Sequence, residues 1–231
     1  MQSPSNNIMN KLARSILSLY SYSDVTENTT IEDEMSIALD LIAKMPILMD
    51  GAYQAKRHKY DNASLIMHPL RPEENTAESI LSLIRNDRSY TKAEAQLLDT
   101  LLALHADHGG GNNSTFACRV ATSSGTDPFA AYTSAINSLK GPRHGGANIK
   151  VMEMFEDLKK HCPDWTDEDA LRAYLQGLLR GEGFDHSGLI YGMGHAVYSV
   201  SDPRAVILKS FVEQLSNEKG CHDEYQLYAS V

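Results

Sequence analysis

The sequence predicts an all-α protein, and three observations predict it. Apolar residues recur at intervals of three and four through most of the 231 positions, the spacing of one helix face. Helix-opening signals occur repeatedly: Thr30, Thr91 and Thr166 each precede an acid by three positions, and Asp127 and Asp202 each precede a proline. Strand signals are sparse, because no alternating β-branched run exceeds a few residues and no Asn-Gly or Asp-Gly is flanked by such runs.

Taken in order, Ile8, Leu12, Ile16 and Leu19 form the apolar stripe of a first helix. Residues 24–29 are polar and read as a loop. Thr30 and Asp33 form a capping box that opens a helix through Met35, Ala38, Leu39 and Ile42. Pro46 falls inside this pattern and should kink or divide it, since proline cannot donate to the preceding turn. The pattern resumes at Leu48, Ala52 and Ala55, and the basic run Lys56–Lys59 reads as a solvated C-terminal end whose cations suit the helix dipole. After the turn bracketed by Pro69 and Pro72, a short helix spans Thr76–Ile84. Thr91 and Glu94 then cap a helix through Leu104 that delivers His105 and His108 at its end, with Gly109–Gly111 stopping it.

Residues 114–123 are small and apolar. Asp127-Pro128 starts a helix through Phe129, Tyr132, Ile136 and Leu139, which Gly141-Pro142 ends. Residues 149–158 are amphipathic and Pro163 breaks them. Thr166 and Asp169 cap the next helix, with Leu171, Tyr174, Leu175 and Leu178 on its core face. Residues 181–194 form a glycine-punctuated loop. Asp202-Pro203 opens a helix with Ala205, Ile207, Leu208, Phe211, Val212 and Leu215, and beyond Asn217 no clear end signal follows.

The bulk properties exclude several classes. A formal net charge of -9 argues against a nucleic-acid groove, which requires a positive surface. Cys118, Cys162 and Cys221 are far apart and odd in number, without a Cys-x-x-Cys pair. Neither a zinc knuckle nor a disulfide framework is indicated, and a reducing, cytoplasmic location is expected. The N-terminus has no signal-peptide pattern, and the apolar runs are too short to span a bilayer.

Candidate chemistry concentrates in residues 105–148 and 192–204. In three places a histidine sits beside glycines: His108 before Gly109-Gly110, His144 between Gly141-Pro142-Arg143 and Gly145-Gly146, and His195 after Gly192-Met193-Gly194. Glycine lets backbone approach a ligand closely, and a histidine there can hydrogen-bond or exchange a proton near neutral pH. His105 and His108 lie three apart and admit a metal pair, but no further ligand follows at a telling spacing, so no metal is expected. Arg204 stands in the first turn of a helix, unfavourable for a cation against the dipole. That position suggests an anionic partner for its guanidinium, with an intrachain carboxylate as the alternative. Such donors converging on a small anion would stabilise an enolate or alkoxide. Carbon–carbon bond formation, isomerisation and hydrolysis all remain open at this level.

These residues closely resemble the citrate synthase family. The resemblance is carried by His-Ala-Asp-His-Gly-Gly at 105–110, Ser123 to Asp127-Pro128, Gly-Pro-Arg-His-Gly-Gly-Ala-Asn at 141–148, and Gly-Met-Gly-His-Ala-Val followed by Asp-Pro-Arg within 192–204. It covers nearly the whole chain, more weakly before Thr91. It implies an all-α homodimeric acyltransferase of the tricarboxylic acid cycle, with part of a large helical domain at 1–144 and most of a small one at 145–231. The reaction implied is condensation of oxaloacetate with acetyl-CoA, then hydrolysis of citryl-CoA, with no cofactor besides acetyl-CoA as substrate.

By position, His108, His195 and Arg204 resemble the oxaloacetate ligands. His195 would polarise the ketone, and His144 would donate to the acetyl-CoA carbonyl as the enol forms. Leu189, Ile190, Tyr191, Gly192, Met193 and Gly194 resemble part of the CoA-binding segment. Ser199 and Val200 stand where the family often has a basic residue for the CoA phosphate. The family's proton-abstracting aspartate belongs to a later Asn-Val-Asp motif that this sequence does not contain, and further carboxylate-binding arginines lie in the same later part. The chain therefore reads as an internal fragment with little turnover alone. Two alternatives are a 2-methylcitrate synthase using propionyl-CoA and a non-catalytic helical dimerisation or ligand-binding piece.

Overall fold

The computed structural model describes residues 3–24, 26–27, 29–106, 111–194 and 200–231. Among them are ten α-helices and one 3-10 turn, with no strand, as the helical periodicity requires. The chain divides into two compact units, Met1–Gly141 and Pro142–Val231. The division falls at Gly141-Pro142, so His144 lies in the second unit.

In the first unit, α1 (Ile8–Ser18) begins where the Asn7 side chain accepts from the Asn10 N–H, and it buries Leu12, Ala13 and Ile16. α2 runs unbroken from Ile31 to Tyr60, behind the capping box of Thr30 and Asp33. The division expected at Pro46 does not occur. The carbonyl that loses its donor belongs to Ile42, a residue 58% exposed, while the apolar ring of Pro46 is buried. The stripe Met35, Leu39 and Ile42 is exposed, and Ile37 and Leu41 face the core instead.

α3 (Thr76–Ile84) is opened by a capping box of Asn75 and Glu78, and α4 (Lys92–Ala106) by the expected pair Thr91 and Glu94. Glu94 also receives both guanidinium nitrogens of Arg85, at 2.9 and 3.0 Å. α5 (Asn113–Ser123) is capped by Asn112, and α6 (Pro128–Leu139) by Asp127. Leu12, Ile16, Ile37, Leu41 and Phe129 join α1, α2 and α6 into one core. Each such side chain contributes about 1.5–3 kcal/mol on burial.

In the second unit, α7 (Ala147–His161) starts directly behind Gly146. α8 (Glu168–Leu179) is capped by Asp167 rather than Thr166, because Asp164 holds both the N–H and the hydroxyl of Thr166. α9 (Pro203–Lys219) buries only Ser216, so the face expected to be core is largely open. Gly220, left-handed at φ 68°, ends α9 and lets the chain turn into α10 (His222–Ser230). Leu158, Cys162, Leu171 and Leu227 form this unit's core, with Trp165 and Phe155 against it. No helix among the described residues is long and apolar enough to cross a membrane.

Candidate functional site

Several of the residues singled out in the sequence lie in the second unit, and three local structures hold them. The first is the turn at 141–146 between α6 and α7. Its backbone closes with the Ala147 N–H on the His144 carbonyl at 3.1 Å and the Ile149 N–H on that of Gly146 at 3.2 Å. His144 is half-buried at the threshold of α7.

The second is the start of α9. The Asp202 carboxylate accepts from the backbone N–H of Arg204 at 2.9 Å, which caps the helix. The same carboxylate grips the guanidinium, with Nε at 3.0 and 3.1 Å and Nη2 at 2.6 Å. This answers the puzzle of a cation in a first helical turn: a carboxylate that suits the dipole sits beside it and fixes the fork. Both side chains remain partly open, at 26% and 21%.

The third is the loop 181–194. Its backbone is left-handed at Gly181, Gly188, Gly192 and Gly194, and also at two residues with side chains, Phe184 (φ 49°) and His186 (φ 57°). The loop lies against α7. The Tyr191 N–H meets Met154 Sδ at 3.3 Å, and the Tyr191 hydroxyl donates to Asp185 at 2.7 Å. The Asp185 carboxyl is held below its ordinary value by the Ser187 and Tyr191 donors. A side chain at Gly192 would approach Val151 to 3.3 Å at φ 90°. Within the expected CoA segment, Leu189 and Met193 are each 55% exposed, Ile190 and Tyr191 are half-buried, and Gly192 and Gly194 are exposed.

Asp107–Gly110 and His195–Ser199 lie outside the described residues, so His108 and His195 are not placed. His105 lies in the last turn of α4 with Nδ1 2.8 Å from the Leu101 carbonyl. Among the described residues, no group of histidine, cysteine and acidic side chains is arranged to hold a metal ion.

Sequence reasoning passed over an open cleft of about 540 Å³ whose lining includes Asp157, His161, Tyr174, Phe184 and His186. Tyr174 donates to Asp157 at 2.7 Å, and burial together with that carboxylate pushes its phenol up. Nothing in local spacing marks this cleft, since its walls come from α7, α8 and the loop.

The whole chain, residues 1–231, matches the family model described as citrate synthase, C-terminal domain. A citrate synthase of Synechocystis sp. is 35% identical over 187 residues, covering 80% of this chain and 41% of the relative. A 2-methylcitrate synthase of Shewanella oneidensis is 40% identical over 125 residues, covering 54% of this chain and 30% of the relative. In three dimensions, the chain resembles citrate synthase from the thermophilic archaeon Thermoplasma acidophilum, solved as a ternary complex with carboxymethyl coenzyme A and oxaloacetate. That likeness has a TM-score of 0.74 at 23% identity, covering 97% of this chain and 54% of the other, and shows the fold. The chain thus spans about half the length of these citrate synthases. With all its residues matched by the family's C-terminal domain, the chain belongs to the citrate synthase family.

Proposed function

We propose that these residues serve the condensation of oxaloacetate with acetyl-CoA and the hydrolysis of citryl-CoA to citrate and CoA, as part of an acyltransferase. The observation that carries the reading is the pair of structures flanking His195 in sequence. On one side Gly192 and Gly194 hold left-handed backbone, and on the other an Asp202-capped helix start presents Arg204. In this reading Arg204, His108 and His195 bind oxaloacetate, and the fork suits a carboxylate. His195 donates to the ketone and polarises it. His144 donates to the acetyl-CoA carbonyl and stabilises the enolate oxygen once the methyl proton leaves. Residues 189–194 receive CoA. The Asn-Val-Asp motif that would carry the proton-abstracting aspartate does not occur within residues 1–231, so these residues should bind oxaloacetate better than they turn it over. Units Met1–Gly141 and Pro142–Val231 correspond to parts of the large and small domains. No metal or further cofactor takes part, and the protein works in the cytoplasm.

A homodimer belongs to the same reading. It is supported by α5, which buries no residue and leaves Phe116 62% and Val120 53% exposed. Sedimentation should give a dimer, and Phe116→Asp should shift it to monomer.

The test follows CoA release with a thiol reagent, with and without oxaloacetate, beside calorimetric titration with oxaloacetate. Oxaloacetate should bind, and Arg204→Ala should weaken it. Release should fall below that of a full-length relative by about 10²–10⁴-fold or more, the usual worth of a general base. Absence of any oxaloacetate heat would remove the reading from this chain, and fast oxaloacetate-dependent release would mean that a base lies within it. A propionyl-CoA arm tests the second reading, to which the chain's 40% identity over 125 residues to a 2-methylcitrate synthase is relevant. One methylene is worth only ~1–3 kcal/mol, so a preference of either sign is measurable.

A further inference from the structure

The loop 181–194 holds a conformation that its own residues disfavour. Phe184 and His186 are left-handed, a state L side chains rarely adopt and one that persists only where surroundings over-determine it. The surroundings that do so are on α7 and within the loop itself. The Phe184 ring stands edge-to-face with Tyr191, centroids 6.0 Å apart at 88°. Lys150 of α7 sets its ammonium 5.3 Å from the Phe184 centroid while pairing with Glu153 at 2.9 Å. Tyr191 then closes back on Asp185 through its hydroxyl at 2.7 Å and onto fully buried Met154 through its N–H at 3.3 Å. The contacts form a ring from residue 184 to residue 191 with Gly188 at its far side.

We propose that Tyr191, Asp185, Phe184 and Lys150 act as a clamp that presets the backbone of Leu189–Gly194 before any ligand arrives. Lys150, Phe184 and Asp185 lie outside residues 189–194 and are positioning residues, and Tyr191, within that segment, positions it through its hydroxyl. What the clamp leaves over supports this. Leu189 and Met193 project 55% exposed from a backbone already fixed, so a ligand gains their apolar surface without having to order the segment. That the ligand is CoA rests on the proposed function; the clamp itself does not.

Amide hydrogen exchange across residues 186–194 of the intact chain tests it. Tyr191→Phe keeps the ring and removes the hydroxyl, and Asp185→Ala removes the acceptor. Tyr191→Phe should speed exchange in the loop about tenfold, the loss of one side-chain hydrogen bond to a charged group, and Asp185→Ala should speed it more, because that carboxylate also accepts from the Ser187 N–H at 3.1 Å, while α7 amides stay unchanged. Asp185→Asn keeps one acceptor oxygen for the Ser187 N–H and offers an amide N–H that the Tyr191 hydroxyl can accept, so it should restore slow exchange. Wild-type loop rates in both Tyr191→Phe and Asp185→Ala, or equal loosening of α7, would overturn the clamp. Calorimetry with free CoA separates the two readings. A loosened loop in a chain that never bound CoA leaves the clamp standing and removes the CoA assignment. A loosened loop with unchanged CoA affinity overturns the positioning role.

Discussion

Each unit has an apolar core drawn from helices distant in sequence, and the second unit adds an irregular loop held by polar ties. In the first, α1, α2 and α6 converge on Ile16, Ile37, Leu41 and Phe129, and Thr133 of α6 reaches the Ala13 carbonyl of α1 at 3.4 Å. In the second, α9 buries little, and Lys159 of α7 is tied to Glu224 and Tyr228 of α10. The loop 181–194 likewise depends on directed contacts of Tyr191, Asp185 and Lys150. Apolar packing fills space but does not dictate dihedrals, so it suits a scaffold of regular helices. Hydrogen bonds and ring geometry have direction, and they can hold an irregular backbone in one conformation. The difference teaches where to look for function in this chain: the candidate residues of the second unit stand where regular structure gives way.

The strongest way to break this comparison is to cut each core separately. Leu158→Ala and Ile16→Ala each remove a fully buried side chain and should cost about 2–5 kcal/mol. Trp165, the single tryptophan, packs against the Leu158 cluster and reports on the second unit. In urea, Leu158→Ala should move the fluorescence midpoint. Ile16→Ala should move the loss of helical circular dichroism more than it moves fluorescence. Identical shifts of both signals in both variants would show one cooperative core instead of two.

Next in size is Gly192→Ala. At φ 90° with Val151 close by, it should destabilise by about 1–2 kcal/mol, and Gly51→Ala, within α2 with open space around it, should not. Smaller again are the caps. Thr30→Ala and Asp202→Ala should each cost about 1 kcal/mol of stability. Only Asp202→Ala should also alter oxaloacetate binding, because the carboxylate that caps α9 also holds Arg204. Equal binding in the two variants would separate the cap from the proposed function.

The smallest effect concerns pH. Burial of Asp50 in α2 raises its carboxyl above the ordinary 3.8, against the opposing Gln54 hydrogen bond and the charge of His68. The folded state therefore holds this proton more tightly than the unfolded one. Its contribution is most favourable below about pH 3.8 and is lost as pH rises toward the folded value. Glu224, lowered by Lys159 and Tyr228, has the reverse sign: its contribution is present above the ordinary 4.5 and is lost as pH falls through the folded value. Asp50→Asn should thus gain stability at neutral pH and lose that gain in acid, and Glu224→Gln should lose stability at neutral pH only. Denaturation midpoints at both pH values read the two signs.

Much of the helical framework was legible because its signals are local. The pairs Thr30 with Asp33 and Thr91 with Glu94, and the Asp127-Pro128 and Asp202-Pro203 openings, stand where the helices begin. Cap chemistry involves residues within four positions of one another, so spacing alone reveals it. Asn75 with Glu78 carried the same signal unread, and Gly220 marked the end of α9. The histidine and arginine positions were legible as motifs, and the family those motifs resemble is the one whose model matches the chain.

Other features depended on contacts across the chain. Pro46 stays inside one helix because its ring is buried and the unpaired carbonyl of Ile42 is on an exposed residue, which the residues around Pro46 do not state. Two apolar stripes compete on α2, and packing against α1 and α6 chose Ile37 and Leu41 over Met35, Leu39 and Ile42. Arg204 is different: its anion, Asp202, stands only two residues away, one of the two partners its position allowed. Phe184 and His186 took a backbone their side chains oppose, because Tyr191, Lys150 and the Gly181 carbonyl act on them from outside their own turn. Helix ends follow from hydrogen bonds a few residues long. Which face is buried, and which strained dihedral survives, are settled only when distant segments compete for the same space.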